Sequence, residues 1–249
     1  MSLQPRTRGA GSIAVRAAAQ GETRLANLRQ SGAMKLVLPR VFRPDIEAVI
    51  VNTAGGVTGG DRLQLEAVAG AGACLTLSTQ AAERIYRAQP GEVGCVDTRL
   101  EVAAGARINW LPQETILFDH AALNRRLTVD LAAEAGFLMV ETLVFGRAAM
   151  GEVLHEVHLR DRIRINRAGA PLYLDGIALA GDVQRHLARP AIAGAPGRWR
   201  RWFLWALRPR RSCGPCAPCC PRRRRPACCR AGCWWPVCWH RTVSSCAAP

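Results

Sequence analysis

The chain has 249 residues, with 34 Lys and Arg, 19 Asp and Glu, and 11 Cys. This length allows one or two domains with a sizeable core, and a composition of 49% apolar and 21% charged residues excludes disorder for the chain as a whole. No apolar run reaches the ~20 residues of a membrane helix. Because Arg16 interrupts the apolar stretch near the N-terminus, we predict no signal peptide and a cytoplasmic protein.

The first three quarters of the chain have the pattern of a β protein. Short apolar stretches alternate with Gly, Pro, Asn and Asp, and several of them alternate apolar and polar residues, as at 160–165 (RDRIRI). Period two with closely spaced turn residues predicts an all-β sandwich, barrel or solenoid-like stack. The expected strands are 12–19, 34–38, 46–51, 63–68, 74–78, 93–102, 107–111, 126–131, 137–145, 153–165 and 171–174.

A glycine-rich segment follows the third of these stretches. Residues 55–60 (GGVTGG) hold four glycines, which give the backbone freedom that side chains with a Cβ deny it. A phosphate-binding loop is a poor match, since no Gly-Lys-Ser/Thr follows and a strand rather than a helix comes next. A tight crossing between strands, at 55–60, is the better interpretation.

Two further segments place acids among apolar residues. Residues 110–119 (WLPQETILFD) contain Glu114 and Asp119, and residues 137–147 (FLMVETLVFGR) contain Glu141 inside an apolar strand. A carboxylate in such a place is costly unless it is paired or binds a cation. For Glu141, either Arg126 or Arg147 could form a structural ion pair.

Familiar enzyme signatures do not appear in the sequence. There is no G-x-S-x-G elbow and no H-E-x-x-H motif. His155 and His158 are three positions apart, and on a strand they would face opposite sides, which suits a metal poorly. The one clear helix candidate is 183–188.

The last fifth of the chain has a different composition. Residues 1–197 hold 22 basic and 19 acidic residues, a formal charge of +3, whereas residues 198–249 hold 12 Arg and no acid, a charge of +12. Nine of the 11 Cys and six of the seven Trp also lie after residue 198. We therefore divide the chain into a β-rich domain at 1–194 and an irregular tail at 195–249.

Three interpretations of the tail compete. Its C-x-x-C spacings from Cys213 onward could bind zinc, and the arginines at 222–225 with nearby tryptophans could bind nucleic acid. The third interpretation is a shifted reading frame. All Cys and Trp codons begin with TG, so reading them one nucleotide earlier yields only Leu, Val or Met. That single change turns an unusual sequence into an ordinary aliphatic one, and we favour it.

Four segments occur in a fixed order along the β-rich part: 53–63 (TAGGVTGGDRL), 79–87 (TQAAERIYR), 110–118 (WLPQETILF) and 146–152 (GRAAMGE). Together they resemble the urease accessory protein UreD family, called UreH in some bacteria, across roughly residues 12–194. The resemblance implies a mainly β, stacked and helically wound fold with few helices.

The same resemblance implies a nonenzymatic role. A member of this family would bind UreF, which recruits the GTPase UreG, and the assembly would dock on apo-urease as a chaperone that inserts nickel. It would bind neither nucleic acid nor a membrane. No cofactor would be tightly bound, and nickel would be in transit through an internal passage.

Carboxylates suit such transit because they hold a borderline metal less tightly than thiolates do. An acid-lined passage also attracts cations. The acids that we expect to line it are Asp61, Glu83, Glu141 and Asp175.

The sequence also allows two other functions. One is a zinc- or nucleic-acid-binding protein that uses the Cys- and Arg-rich tail. The other is a β-rich enzyme with Glu114 and Glu141 as an acid–base pair.

The coding DNA tests the interpretation of the tail. If the frame is shifted, adding or removing one nucleotide near codons 190–198 should restore an aliphatic continuation in place of the Cys- and Trp-rich one. A tail that remains rich in Cys and Arg in every reading would instead favour the zinc- or nucleic-acid-binding protein.

Overall fold

The computed structural model describes residues 5–40, 42–190, 192 and 200–207, with only the backbone for Ala148 and for 200–207. Within these residues the chain forms fifteen strands, one short α-helix and one 3₁₀ turn, Ala148–Met150. The elements are β1 (Arg8–Ala17), β2 (Thr23–Gly32), β3 (Met34–Val37), β4 (Ile46–Asn52), β5 (Arg62–Ala69), β6 (Cys74–Thr79), β7 (Glu83–Ile85), β8 (Gly94–Val102), β9 (Arg107–Leu111), β10 (Thr115–Leu117), β11 (Ala122–Leu131), β12 (Gly136–Phe145), β13 (Val157–Arg167), β14 (Ala170–Gly181), α1 (Val183–Leu187) and β15 (Arg200–Leu207).

The strands form two sheets. The seven-stranded sheet has the order β14-β13-β11-β8-β5-β1-β2, and the eight-stranded sheet has the order β3-β4-β6-β9-β12-β10-β7, with β15 paired to β12. The chain alternates between the sheets, so that each pass through both makes one coil of a stack. Gly94 in β8 is in register with Leu123 in β11, 29 positions later, and Cys74 in β6 with Arg107 in β9, 33 positions later. These pairings are parallel, and the mainly β, stacked and helically wound fold is confirmed.

One apolar interior lies between the two sheets. Exposure alternates strictly along β5 and along most of β13, as the period of a strand requires. The inward residues of both sheets belong to one core, in which Leu75, Leu123 and Phe137 are almost completely buried. An ionisable side chain at an inward position therefore has no water to solvate it.

The glycine-rich segment is a tight crossing, as predicted. The Val57 N–H donates to the Arg84 carbonyl at 2.8 Å, and the Tyr86 N–H donates to the Val57 carbonyl at 2.8 Å, which brings two neighbouring coils together. A Cβ at Gly56 would lie 2.6 Å from the Arg84 carbonyl oxygen and against the Tyr86 ring. Only glycine fits at this contact without displacing the backbone of the next coil.

Three strands of the β-rich part, β2, β7 and β10, were missed by the sequence patterns. β2 has no buried residue, because it lies at an edge of the seven-stranded sheet and is held there by pairing with β1. β7 and β10 are three residues each, too short to show alternation. β7 follows β6 after a break at 80–82, and β10 follows β9 after a break at 112–114.

Some predicted boundaries also need correction. The stretch 153–165 becomes a strand only from Val157, because the backbone N–H groups of His155 and Glu156 donate to the Asp119 carboxylate instead of a neighbouring strand. The stretch 171–174 extends through the whole of β14. The predicted helix at 183–188 is confirmed as α1, which begins after an Asp182 cap.

The start of the tail joins the eight-stranded sheet. The backbone of β15 pairs antiparallel with β12, from Arg200 opposite Val144 to Leu207 opposite Phe137. Of the predicted irregular tail at 195–249, the described segment 200–207 is thus a paired strand. Residues 208–249, including the C-x-x-C spacings, lie outside the described residues.

No helix among the residues described here is long and apolar enough to cross a bilayer.

Candidate functional site

A buried cluster of charged side chains joins the two sheets. Arg125 lies on β11 between Leu123 and Leu127, and because alternate residues of a strand share a face, its side chain points into the interior with theirs. It meets Glu141 from β12 of the other sheet and Asp161 from β13 of its own. The side chains of Glu141 and Asp161 are only 3% and 4% exposed.

The geometry of this cluster is tight. The Arg125 guanidinium donates to both carboxylate oxygens of Asp161, with Nε–Oδ1 at 2.9 Å and Nη2–Oδ2 at 2.5 Å, and to Glu141 Oε2 at 2.7 Å. Its Nη1 donates to Thr115 Oγ1 at 3.3 Å. The Trp110 Nε1–H donates to the other Glu141 oxygen at 2.8 Å. The five residues of this network thus come from five different strands of the two sheets.

The cluster sets one guanidinium against two buried carboxyl groups. One guanidinium faces two carboxylates, and although burial opposes its charge, Glu141 and Asp161 raise the pKa of Arg125 above its ordinary value. Burial also raises the pKa of Glu141, which Arg125 and Trp110 offset only in part. The site therefore holds a permanent cation beside a carboxylate whose charge is costly to maintain.

The sequence pointed to the wrong partners for Glu141. Arg147 pairs instead with Glu152, at 2.9 Å between Nε and Oε2, and Arg126 faces outward, 3.9 Å from Asp97. The neighbouring Arg125 was overlooked. The sequence contained the information, because alternate residues of a strand face the same side. Arg125 is at the same alternate positions as the inward leucines of β11, and Arg126 is not. Asp161 was missed in the same way, although it alternates with the inward apolar residues of β13.

Glu83 extends this polar region toward the surface. It lies on β7 in register with Thr115 of β10, so the two side chains are on the same inward face. The Asn52 side-chain amide donates to Glu83 Oε1 at 3.0 Å. Burial raises the pKa of Glu83, and the Asn52 hydrogen bond and the charge of Arg84 counter that effect only partly.

A row of inward polar residues therefore crosses the interior from one sheet to the other. It begins at Asn52 near the glycine-rich crossing, passes Glu83 and Thr115, and reaches the cluster of Arg125 with its two acids. We call this set the polar row; its members are Asn52, Glu83, Thr115, Arg125, Glu141 and Asp161.

The other two predicted acids lie elsewhere. Asp61 is 4% exposed. Its two carboxylate oxygens accept hydrogen bonds from the backbone N–H groups of Thr7 at 2.7 Å and Thr58 at 2.9 Å, so it fixes the glycine-rich segment to the start of the chain's first strand. Asp175 is half-buried on β14 opposite Ile163, one strand beyond Asp161. The structure thus brings Glu83 and Glu141 into one row and leaves Asp61 in a separate loop.

A second feature joins the four sequence segments at the surface. The Tyr86 hydroxyl donates to the Gly55 carbonyl at 3.2 Å, and the Tyr86 ring meets the Phe118 ring edge to face at 5.2 Å. The Arg147 guanidinium lies 4.4 Å above Phe118 and pairs with Glu152. Each contact links one coil to the next, so segments far apart in sequence form one continuous column.

The described histidines near Asp119 lie apart from the polar row. His155 and His120 both approach Asp119 Oδ2, at 3.2 and 3.4 Å, while His158 is exposed on β13. In the part of the chain that the structure describes, no group of three or more His, Cys, Asp or Glu has the arrangement of a metal site.

The amino-acid sequence is similar to one family of known proteins. A family model described as UreD urease accessory protein matches residues 8–199. A curated relative named urease accessory protein UreD from Roseobacter denitrificans is 53% identical over 190 residues, which cover 76% of this chain and 69% of the relative. Relatives of the same name from Ruegeria sp. strain TM1040 and Rhizobium rhizogenes are 54% and 50% identical, over 76% and 75% of this chain and 64% and 68% of their own lengths. The match thus spans about two thirds of these relatives.

Replacing Arg125 by Met should destabilise the fold strongly. The substitution leaves Glu141 and Asp161 buried without a counter-ion, for which we expect a loss of about 3–5 kcal/mol in the free energy of unfolding. Arg126→Met, one position away on the exposed face, should change it by less than about 0.5 kcal/mol. Urea denaturation followed by circular dichroism measures both.

If Arg125→Met does not fold, the triple variant Arg125→Met, Glu141→Gln, Asp161→Asn should recover stability, because it removes the uncompensated charges together with their partner. Equal stabilities of Arg125→Met and Arg126→Met would show that the cluster does not hold the sheets together.

Replacing Glu83 by Gln should change how stability depends on pH. Since the pKa of Glu83 is raised in the folded state, its contribution to stability is fully present below the unfolded pKa and is lost as pH rises through the folded value. Glu83→Gln should therefore be the more stable protein near pH 7–8, with a difference that shrinks toward pH 4. Glu101→Gln, on the exposed side of β8, controls for the loss of a carboxylate. A difference that grows on acidification would contradict the burial argument.

Proposed function

Because the chain belongs to the UreD family of urease accessory proteins, we propose that it takes part in urease maturation as a nonenzymatic subunit that helps to insert nickel into apo-urease. UreF and UreG are its proposed partners, and the cytoplasm its proposed location. The observation that carries the nickel proposal is the polar row, which places ionisable side chains across an interior that is otherwise apolar.

The chemistry of the row suits a metal in transit. Its acids are carboxylates, which bind Ni²⁺ less tightly than thiolate ligands do and so allow release. The cluster at its inner end has two carboxyl groups for one guanidinium, and when both are ionised the excess negative charge favours a cation in a low-dielectric interior. Cys74 and Cys95, the cysteines of the β-rich part, lie outside the row.

Arg125 gives the cluster a way to hold and release a cation. The guanidinium occupies the position between Glu141 and Asp161 that a divalent ion would take. A passing ion would compete with it for the same carboxylate oxygens, so neither carboxylate would be left without a partner before or after the ion has passed. Arg125 would act here as a positioning residue, and Asp161 joins the acids of the proposed path.

The four acids named from the sequence have different places in this proposal. Glu83 would receive the ion near the surface and Glu141 would hold it at the cluster. Asp175, one strand beyond Asp161, would lie at the far end. Asp61 would shape the entrance, and its two backbone hydrogen bonds give it a structural role in addition.

Isosteric variants test the path in cells. We expect Glu141→Gln and Asp161→Asn to lower the nickel content per urease active site severalfold in co-expression with urease and its other accessory proteins, because both remove a carboxylate without changing shape. Asp97→Asn, an exposed acid on β8, is the matched control and should leave nickel loading unchanged. Metal analysis of purified urease gives the nickel content, and co-purification gives the recovery of the UreF complex.

Two outcomes would count against the proposal. Full nickel loading by both inward variants would remove these acids from the path. Loss of the UreF complex together with nickel would mark them as structural residues. If this chain gives no loading even without substitutions, the same variants belong in a version with the reading frame restored after residue 190.

A further inference from the structure

The twelve-residue strand β14 forms one edge of the seven-stranded sheet. It pairs with β13 on one side, and no strand among the described residues pairs with its other side. A free edge presents backbone N–H and C=O groups that can accept another strand. The features that weaken such an edge are Pro171 and a register shift at Ile165/Asn166, and both lie at the hairpin end. No strand among the described residues covers the remainder of the edge.

A row of arginines runs beside this edge. Arg160, Arg162 and Arg164 are exposed on the outer face of β13, every second residue and hence ~6.7 Å apart. Within the described residues none of the three has an acidic partner, and Arg162 is in register with a further exposed arginine, Arg126 of β11. Like charges directly opposite each other are unfavourable, so this face would gain from acidic groups that the described chain does not supply.

The side chains of β14 leave room for these arginines to reach the edge. Arg160 is opposite Ala178, and Arg162 is opposite Gly176, so neither guanidinium meets a bulky neighbour on that side. Arg126 repels Arg162 on the other side. A strand added beyond β14 would lie two strand spacings, ~9.6 Å, from β13. A guanidinium that extends over Gly176 can meet an acidic side chain that extends from that strand.

The same face also offers an apolar contact. Leu172 and Leu174 are 39% and 60% exposed and lie at the hairpin end of β14, where Arg164 is opposite Leu174. Among the described residues this outer surface has no aromatic ring on which a base could stack, which disfavours single-stranded nucleic acid. A centred pairing with a second copy would bring two Asp175 carboxylates together, which disfavours self-association.

We propose that the free edge of β14 binds an extended segment of a partner protein as an eighth strand of the seven-stranded sheet. The segment carries acidic side chains at alternate positions, facing Arg160 and Arg162, and an apolar side chain that covers Leu174. This surface lies on the outer face of the sheet, whereas the polar row and Asp175 lie on the inner face, and the proposal does not depend on nickel transfer.

A synthetic peptide tests the charge requirement. The probe is a labelled, end-blocked nonapeptide of alternating Glu and Val, compared with the same peptide in which Gln replaces Glu, and the protein is the full chain. We expect the Glu peptide to bind and the Gln peptide to bind more weakly. Arg160→Glu/Arg162→Glu should weaken binding of the Glu peptide by about tenfold, which corresponds to ~1.4 kcal/mol.

A matched control has the same net charge. Arg16→Glu/Arg29→Glu changes two exposed arginines near the opposite edge of the same sheet and should leave binding unchanged. Equal weakening by both double variants would overturn the proposal, since it would mean general attraction to a basic protein. If Arg160→Glu/Arg162→Glu fails to fold, Arg160→Gln/Arg162→Gln provides the comparison.

Hydrogen exchange tests the position of the peptide. Alternate amides of β14 should exchange more slowly when the Glu peptide is bound, and the amides of β2, the opposite edge, should not. Protection of β2, or binding without protection of β14, would overturn the proposal. So would concentration-dependent protection of β14 without peptide, which would identify a second copy as the occupant. Tighter arginine-dependent binding of oligo(dT) or of anionic vesicles would assign the surface to a different class of partner.

Discussion

The interior of this protein depends on how one buried guanidinium is compensated. Two sheets enclose an apolar core in which a charge cannot be hydrated, and Arg125 reaches into it from β11. Asp161 on the neighbouring strand and Glu141 on the facing sheet accept its hydrogen bonds, and Trp110 and Thr115 complete the hydrogen bonding. The alignment of the sheets is therefore tied to a polar contact as well as to apolar packing. Apolar residues of similar volume often replace a buried ion pair without loss of stability, so the cluster is evidence for a specified alignment of the sheets more than for added stability.

The sequence predicted the parts of the fold in which one face of a strand is buried. β5 and β13 alternate because one side faces the core, and their pattern is visible without a structure. β2 could not be found in this way, since its place depends on backbone pairing with β1 and none of its side chains is buried. The stacking of coils was inferred from resemblance. The registers that create it join residues about thirty positions apart and leave no local signal.

The candidate site was predictable only in part. Glu141 stood out because a carboxylate interrupts an apolar strand, but its partner could be chosen only by parity along β11, which separates Arg125 from Arg126. Glu83 gave a weaker signal, and its inward direction follows from the register between β7 and β10. The contacts among Tyr86, Phe118 and Arg147 bring together segments that are far apart in the sequence. Each residue contacts the next coil, so all are constrained by one surface.

The antiparallel strands at the ends of the stack set its length. Parallel coils repeat the same geometry, and nothing in that geometry prevents the addition of another coil. Here β2 and β14 turn back at the two edges of the seven-stranded sheet, and β3 and β15 pair antiparallel with β4 and β12 of the other sheet. A solenoid with such ends has a fixed number of turns. Lengthening by duplication within the gene would succeed only between the parallel coils, where a whole turn of about thirty residues can be inserted without disturbing either terminus.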